Sequence, residues 1–247
     1  MSKKFVPAEQ LLLGIYFIDE FLDSIVGAGS RAYRSRRLGL WTPRNYKGSL
    51  LRQNIYRLLK TGDLEKRMVK GEPTLIISRG GKRRLSRNFS YFKMQNQHWD
   101  GYWRLVVFDI SEKNRIKRDA LRYKLQELGF GMWQKSIYIS PFSIEEDMNE
   151  YLKERNLFGE AFVLTAKHQL IGDARELADR VWHLDSISNR YENLLEKLES
   201  GEKLKKICRK YIDLLLIDPC LPRELLPNDW VADKVKKILG QRIKDFT

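Results

Sequence analysis

The spacing of apolar and polar positions changes rhythm several times along the chain. From Ala8 to about Val26, Leu11, Leu12, Ile15, Tyr16, Ile18, Leu22 and Ile25 recur at roughly helical spacing behind Pro7, and "GAGS" at 27–30 ends the run. The basic stretch that follows, "RAYRSRRLGLWTPRNYKG", has no clear period. Helical rhythm returns in "SLLRQNIYRLLKTGDL", where Leu51, Ile55, Leu58 and Leu59 form one stripe. Ser49, Arg52, Gln53, Tyr56, Arg57 and Lys60 lie on the opposite face, and Thr61-Gly62 supplies the stop. Two strand-like segments, "LEKRMV" and "TLIIS", then flank a "KGEP" turn, and a basic exit, "RGGKRRL", follows.

A second unit begins after "NFSYFKMQNQ". "WRLVVFDI" reads as a strand, and Ser111 to Leu128 as a helix with Ser111 at its N-cap and Ile116, Ala120, Leu121, Leu125 and Leu128 on its apolar face. "FGMWQKSIYISPF" is extended, as one broken strand or two short ones. "SIEEDMNEYLKERN" is a second helix with Ser143 and Glu146 at capping-box spacing, and "GEAFVLTAK" a last strand. The order β-α-β-β-α-β is the ferredoxin-like pattern. The remainder is helical: "GDARELADRVWHLDSISNRYENLLEKLES" with Leu177, Val181, Trp182, Leu184, Ile187, Tyr191, Leu194 and Leu195 inward, then "LKKICRKYIDLLLI", then "VADKVKKILGQRI". Between the last two stands "DPCLPRELLPNDW", punctuated by Pro219, Pro222 and Pro227.

Charge turns this layout into a functional expectation. The net charge is +14, and residues 1–97 alone hold 20 Lys and Arg against 7 Asp and Glu. Such a segment repels itself unless a polyanion neutralises it, so double-stranded DNA becomes the leading partner. A helix followed by two short strands and a basic exit is then the recognition helix and wing of a winged helix-turn-helix domain. Arg44, Lys47, Ser49, Arg52, Gln53, Tyr56, Arg57 and Lys60 would face the duplex from the helix side. Lys66, Arg67, Lys70, Arg79, Lys82, Arg83 and Arg84 would line the wing. The competing reading is a small α+β interaction domain with a charged surface. The expected fold class is α+β, with a winged helix over 1–97, a ferredoxin-like dimerisation domain over 98–170 and a helical domain over 171–247.

The two cysteines, Cys208 and Cys220, make no C-x-x-C pair, and the three histidines are scattered, which argues against a zinc ribbon or a disulfide framework. The longest apolar run, "LLLGIYFI", is too short for a bilayer, and the N-terminus lacks a signal-peptide cleavage pattern. A cytoplasmic protein without a membrane partner or resident cofactor is expected. Asp109, at the end of "RLVVFDI", keeps an alternative open. It is either a strand-end aspartate, capping the next turn or paired with Arg115 or Arg118, or a Mg²⁺ ligand completed by a second Asp109 across a dimer. Asp119 on the following helix reads as a surface residue.

"LVVFDISEKNRIKRDALRYKLQELGFGMWQKSIYIS" resembles the CRISPR-associated protein two family, whose metal-binding aspartate Asp109 would match. "ADRVWHLDSISNRYENLLEKL" followed by "DPCLPRELLPNDW" resembles the C-terminal domain of the phenylacetate-catabolism repressor (PaaX) family. That resemblance implies the same three-part order, a dimerising central domain, and transcriptional repression relieved by an acyl-CoA ligand. The expected function is a dimeric repressor reading a pseudo-palindromic operator and responding to an acyl-CoA-like effector. The alternatives are a Mg-dependent endonuclease or spacer-acquisition accessory acting through Asp109, and a scaffold using residues 171–247.

Overall fold

The computed structural model describes residues 11–16, 48–69, 72–88, 97–167 and 172–246. They form a mixed α+β protein with two antiparallel sheets. Arg44, Lys47, Lys70 and most of the expected helix from Ala8 to Val26 lie outside the described residues. Residues 11–16 are helical; Leu11, Leu12 and Ile15 of the expected stripe are buried, and so is Leu13, which the stripe leaves out. The chain divides into two compact units, one comprising 1–89, 188–218 and 231–247, the other 90–187 and 219–230. The C-terminal third, expected as one module, contributes segments to both.

In the first unit, helix α1 (Gly48–Lys60) leads into a ribbon of β1 (Leu64–Val69) and β2 (Glu72–Ile77), followed by helix α2 (Arg79–Asn88). In the second unit, β3 (Tyr102–Phe108) is followed by a 3-10 turn (Glu112–Asn114) and α3 (Arg115–Glu127). Strands β4 (Gly131–Gln134) and β5 (Ile137–Ser140), helix α4 (Glu145–Glu154) and β6 (Ala161–Lys167) complete its sheet segment. Helix α5 (Ala174–Trp182) follows, then α6 (Leu184–Glu199), α7 (Leu204–Leu215), a second 3-10 turn (Arg223–Leu225) and α8 (Ala232–Phe246).

The four-stranded sheet runs β4-β5-β3-β6 with every neighbouring pair antiparallel. Two cores explain why β3 reads as an almost continuous apolar run. Val106 and Phe108 join Tyr138 and Ala161 beneath Leu121 and Leu125 of α3 and Met148 and Leu152 of α4. Trp103 and Ile139 face the other way, onto Ala178 and Val181 of α5, Leu184, and Leu221, Leu225 and Leu226 of the proline-punctuated segment. A strand covered on both faces loses the polar half of its alternation. The Trp103 and Trp182 rings stack with centroids 6.3 Å apart. Gly131 permits this closeness, since a Cβ there would lie 2.2 Å from Val181 Cγ1 and 2.7 Å from Trp182 Cε2. Gly131→Ala is expected to destabilise the unit by about 2 kcal/mol, the cost of overpacking a core, read as an earlier midpoint in urea unfolding.

Several local expectations are corrected. Ile116 is 88% exposed and Ala120 is exposed, so the buried stripe of α3 is Leu121 and Leu125, continued by Leu128 at its C-cap. Ser111 precedes the 3-10 turn and its side chain caps nothing; α3 starts directly after Asn114. Ser143 does not cap α4 either. Its hydroxyl is instead recruited by Arg104, whose guanidinium is buried at the sheet's end. Arg104 Nε donates to Glu145 Oε1 at 2.6 Å, Nη1 to Asp100 Oδ1 at 2.8 Å, and Nη2 to Asp100 Oδ2 and Ser143 Oγ, both at 2.6 Å. The carbonyls of Tyr102 and Pro141 complete its shell. The helix expected to run through His183 is broken there, because His183 takes a left-handed conformation with φ 55° and separates α5 from α6.

Candidate nucleic-acid interface

Helix α1 shows why its sequence is divided as it is. Leu58 is buried, Ile55 and Leu59 are half-buried, and the short polar Asn54 is buried with its amide donating to Leu50 O at 2.9 Å. Ser49, Arg52, Gln53, Tyr56, Arg57 and Lys60 are all exposed. Their spacing places them on one helix face, with Tyr56 at its centre and 69% exposed. Forked donors and an amide on such a face can hydrogen-bond base edges in a major groove.

The ribbon rises from the body of its unit. Leu64 and Ile77, paired at its base, are buried, whereas Lys66, Arg67 and Met68 towards its far end are exposed. Arg67 is partly neutralised by Glu65 at 2.8 Å. The expectation that Arg79, Lys82, Arg83 and Arg84 line this ribbon is corrected: they belong to α2, which follows it. Arg79, Lys82 and Arg83 are exposed on that helix, while Arg84 turns inward to Asp63 with Nη1 2.6 Å from Oδ2. Helices α1 and α2 together hold eight Lys and Arg and no carboxylate. Asp63, Ser78 and Gly81 were not legible as a group in the sequence, since they come from three different positions around two turns.

The alternative site has a different character. Asp109 is exposed just beyond β3, and its backbone N–H donates to Glu160 O at 2.8 Å. Its expected partners are engaged elsewhere: Arg118 with Glu112 at 2.6 Å and Arg115 with Asp119 at 3.5 Å. Among the described residues, no three His, Cys, Asp or Glu side chains gather where they could hold a metal ion. Nor is any described helix long and apolar enough to cross a membrane. Neither cysteine forms a disulfide, and burial pushes the Cys208 thiol up to about 12, which keeps it in the neutral thiol form at neutral pH.

A mixed α+β chain with a helix-flanked sheet and with two helices, α1 and α2, that hold no carboxylate of their own can be placed by comparison with known proteins. Residues 96–178 match the model of the PaaX protein central Cas2-like domain, and residues 203–246 match that of the PaaX-like protein C-terminal domain. The transcriptional repressor PaaX of Escherichia coli (strain K12) is 24% identical over 237 residues, covering 87% of this chain and 74% of that protein. The solved structure of an uncharacterized protein, Rv0674, from Mycobacterium tuberculosis shares the fold, with a TM-score of 0.59, 18% identity and 96% of each chain covered. The chain belongs to the PaaX family.

Proposed function

We propose that this protein is a DNA-binding transcriptional repressor that reads a pseudo-palindromic operator as a homodimer. One observation carries the reading: the exposed face of α1 presents Arg52, Gln53, Tyr56 and Arg57 with no carboxylate among them. Helix α1 acts as the recognition helix and β1–β2 as the wing of a winged helix-turn-helix domain spanning residues 1–97. Arg52, Gln53, Tyr56 and Arg57 read base edges, while Ser49, Lys60, Lys66 and Arg67 hold phosphates and fix the register. Arg44, Lys47, Lys70 and the exposed cations of α2, Arg79, Lys82 and Arg83, add to the attraction. Affinity then comes largely from phosphate neutralisation and falls steeply with salt. Binding of fragmented genomic DNA by the purified protein tests this; absence of any duplex binding at moderate salt overturns it.

The middle segment, 98–170, serves dimerisation. The sheet order and the alternation of strands and helices support a ferredoxin-like fold for it. Edge strand β6 exposes Phe162 and Leu164, apolar surface that a second copy would cover. Two recognition helices related by a two-fold axis would address half-sites one helical turn apart. Release by a small acyl-CoA-like effector, and work inside the cell, where the operator is, complete the proposal.

The Asp109 alternative predicts Mg²⁺-dependent cleavage. The isolated, exposed carboxylate favours binding without chemistry, so wild type and Asp109→Ala are both expected to leave duplex DNA intact in Mg²⁺. Cleavage by the wild type that disappears in the variant would establish the nuclease instead.

A further inference from the structure

We propose that Asp63 and Arg84 are a positioning pair for DNA recognition: they lock the base of the ribbon and helix α2 to the end of α1, holding the reading elements at one angle. This inference rests on the DNA-binding reading above.

The turn after α1 is tied to the helix by its own backbone. Thr61 N–H donates to Arg57 O and Asp63 N–H to Leu58 O, both at 2.9 Å, and Gly62 takes the left-handed φ of 75° that the turn requires. The segment entering α2 is stitched to the same turn. Ser78 N–H donates to Asp63 O at 3.1 Å, and Ser78 Oγ reaches the Gly62 carbonyl and, at 3.2 Å, that of Asp63. The same hydroxyl accepts the Gly81 N–H at 3.0 Å. Gly81 allows α2 to lie this close, because a Cβ there would sit 2.2 Å from Asp63 O. The side chains close the joint: Arg84 Nη1 at 2.6 Å and Thr61 Oγ1 at 2.7 Å both donate to Asp63 Oδ2. The Asp63 side chain is 9% exposed and that of Arg84 27%.

The direction of Arg84 is what gives the joint a function. In a segment with a surplus of thirteen positive charges, Arg79, Lys82 and Arg83 are exposed, yet Arg84 is folded inward and neutralised. A surface that needed only positive potential would leave it out for phosphate. What the inward pair supplies is fixed geometry. Base discrimination depends on side chains held within about half an ångström of their productive positions, whereas attraction to phosphate tolerates play. Loosening the joint should therefore lower discrimination and leave non-specific binding intact.

The test uses the full chain. A preferred duplex is selected from a random pool with the wild type, and its Kd is compared with that of a scrambled duplex at several salt concentrations. In Arg84→Gln and Asp63→Asn the ratio of the two constants is expected to fall by about tenfold or more, comparable with the loss of one base pair's discrimination. Binding to the scrambled duplex should stay within about threefold, with the salt slope unchanged. Arg84→Lys, which can still meet Asp63, should recover most of the ratio. Should Asp63→Asn fail to fold, Arg84→Gln carries the measurement, because it leaves Asp63 its Thr61 hydrogen bond. An unchanged ratio in Arg84→Gln, or an equal loss on both duplexes, overturns the proposal. If the wild type selects no duplex, it is the DNA-binding reading that fails.

Discussion

Replacing Arg52 and Arg57 together by alanine is expected to weaken binding to a selected duplex by about a hundredfold, on the basis of roughly 1–3 kcal/mol of discrimination for each good base contact. Both arginines are exposed on α1, on the face that also carries Gln53 and Tyr56. Fluorescence anisotropy titrations at several salt concentrations separate the two ways in which they can act. If they read bases, affinity for the selected duplex falls far more than affinity for a scrambled one. If they hold phosphates, both fall together and the slope of log K against log salt drops by about 0.9 for each phosphate no longer neutralised. Lys205→Ala on α7 is the control, since it removes an exposed charge from a helix with no proposed role in reading DNA. A double variant that loses no more affinity than this control would show that α1 is not the recognition helix.

The face of α1 was legible because helical periodicity separates polar from apolar positions, and one residue, Leu58, anchors the phase. The strands of the sheet were legible as short apolar runs, β3 among them, while "FGMWQKSIYIS", extended as one broken strand or two short ones, resolves into β4 and β5. Misreadings cluster where a long-range partner decides. Ser143 carries the local signature of a helix cap, but a buried guanidinium from β3 takes its hydroxyl in place of the helix's own N–H groups. Ile116 fits a permissive helical template, yet the phase set by Leu121 and Leu125 turns it outward. In "RGGKRRLSRN" two glycines and five cations hide a helix. Its close seating depends on Gly81 beside the Asp63 carbonyl, and its inward charge on Arg84 meeting the Asp63 carboxylate; neither pair is close along the chain. The break at His183 has no breaker residue to announce it, because histidine is an ordinary helix residue until packing imposes a left-handed φ. The spread of the C-terminal third over both compact units follows from the second face of the sheet, whose apolar residues Trp103 and Ile139 need a cover that no periodicity count identifies.

Arg104→Met is expected to destabilise the sheet unit by about 3 kcal/mol at neutral pH, towards the low end for breaking a buried ion pair. The low end applies because the stranded carboxylates are not deeply buried: the side chains of Asp100 and Glu145 are 44% and 31% exposed, against 6% for Arg104. Methionine replaces the volume of the aliphatic stem but none of the donors. The penalty should depend on pH in a defined direction. The hydrogen bond from Arg104 holds the Asp100 carboxyl below its ordinary value near 3.8. Burial pushes the Glu145 carboxyl up, but the hydrogen bond from Arg104 and its own backbone outweigh burial and leave it below 4.5. A carboxylate whose folded value is depressed contributes stability above its unfolded value, and that contribution disappears as pH falls through the folded one. Wild type and variant should therefore differ most at neutral pH and converge as pH falls below about 4, where the carboxylates protonate and the charge-assisted bonds are lost. Urea unfolding followed by tryptophan fluorescence reads the right part of the molecule, since Trp99, Trp103, Trp133, Trp182 and Trp230 all belong to this unit. A difference between the two proteins that stays constant from pH 7 to pH 3 would mean that Arg104 stabilises the sheet by packing and not by its charge.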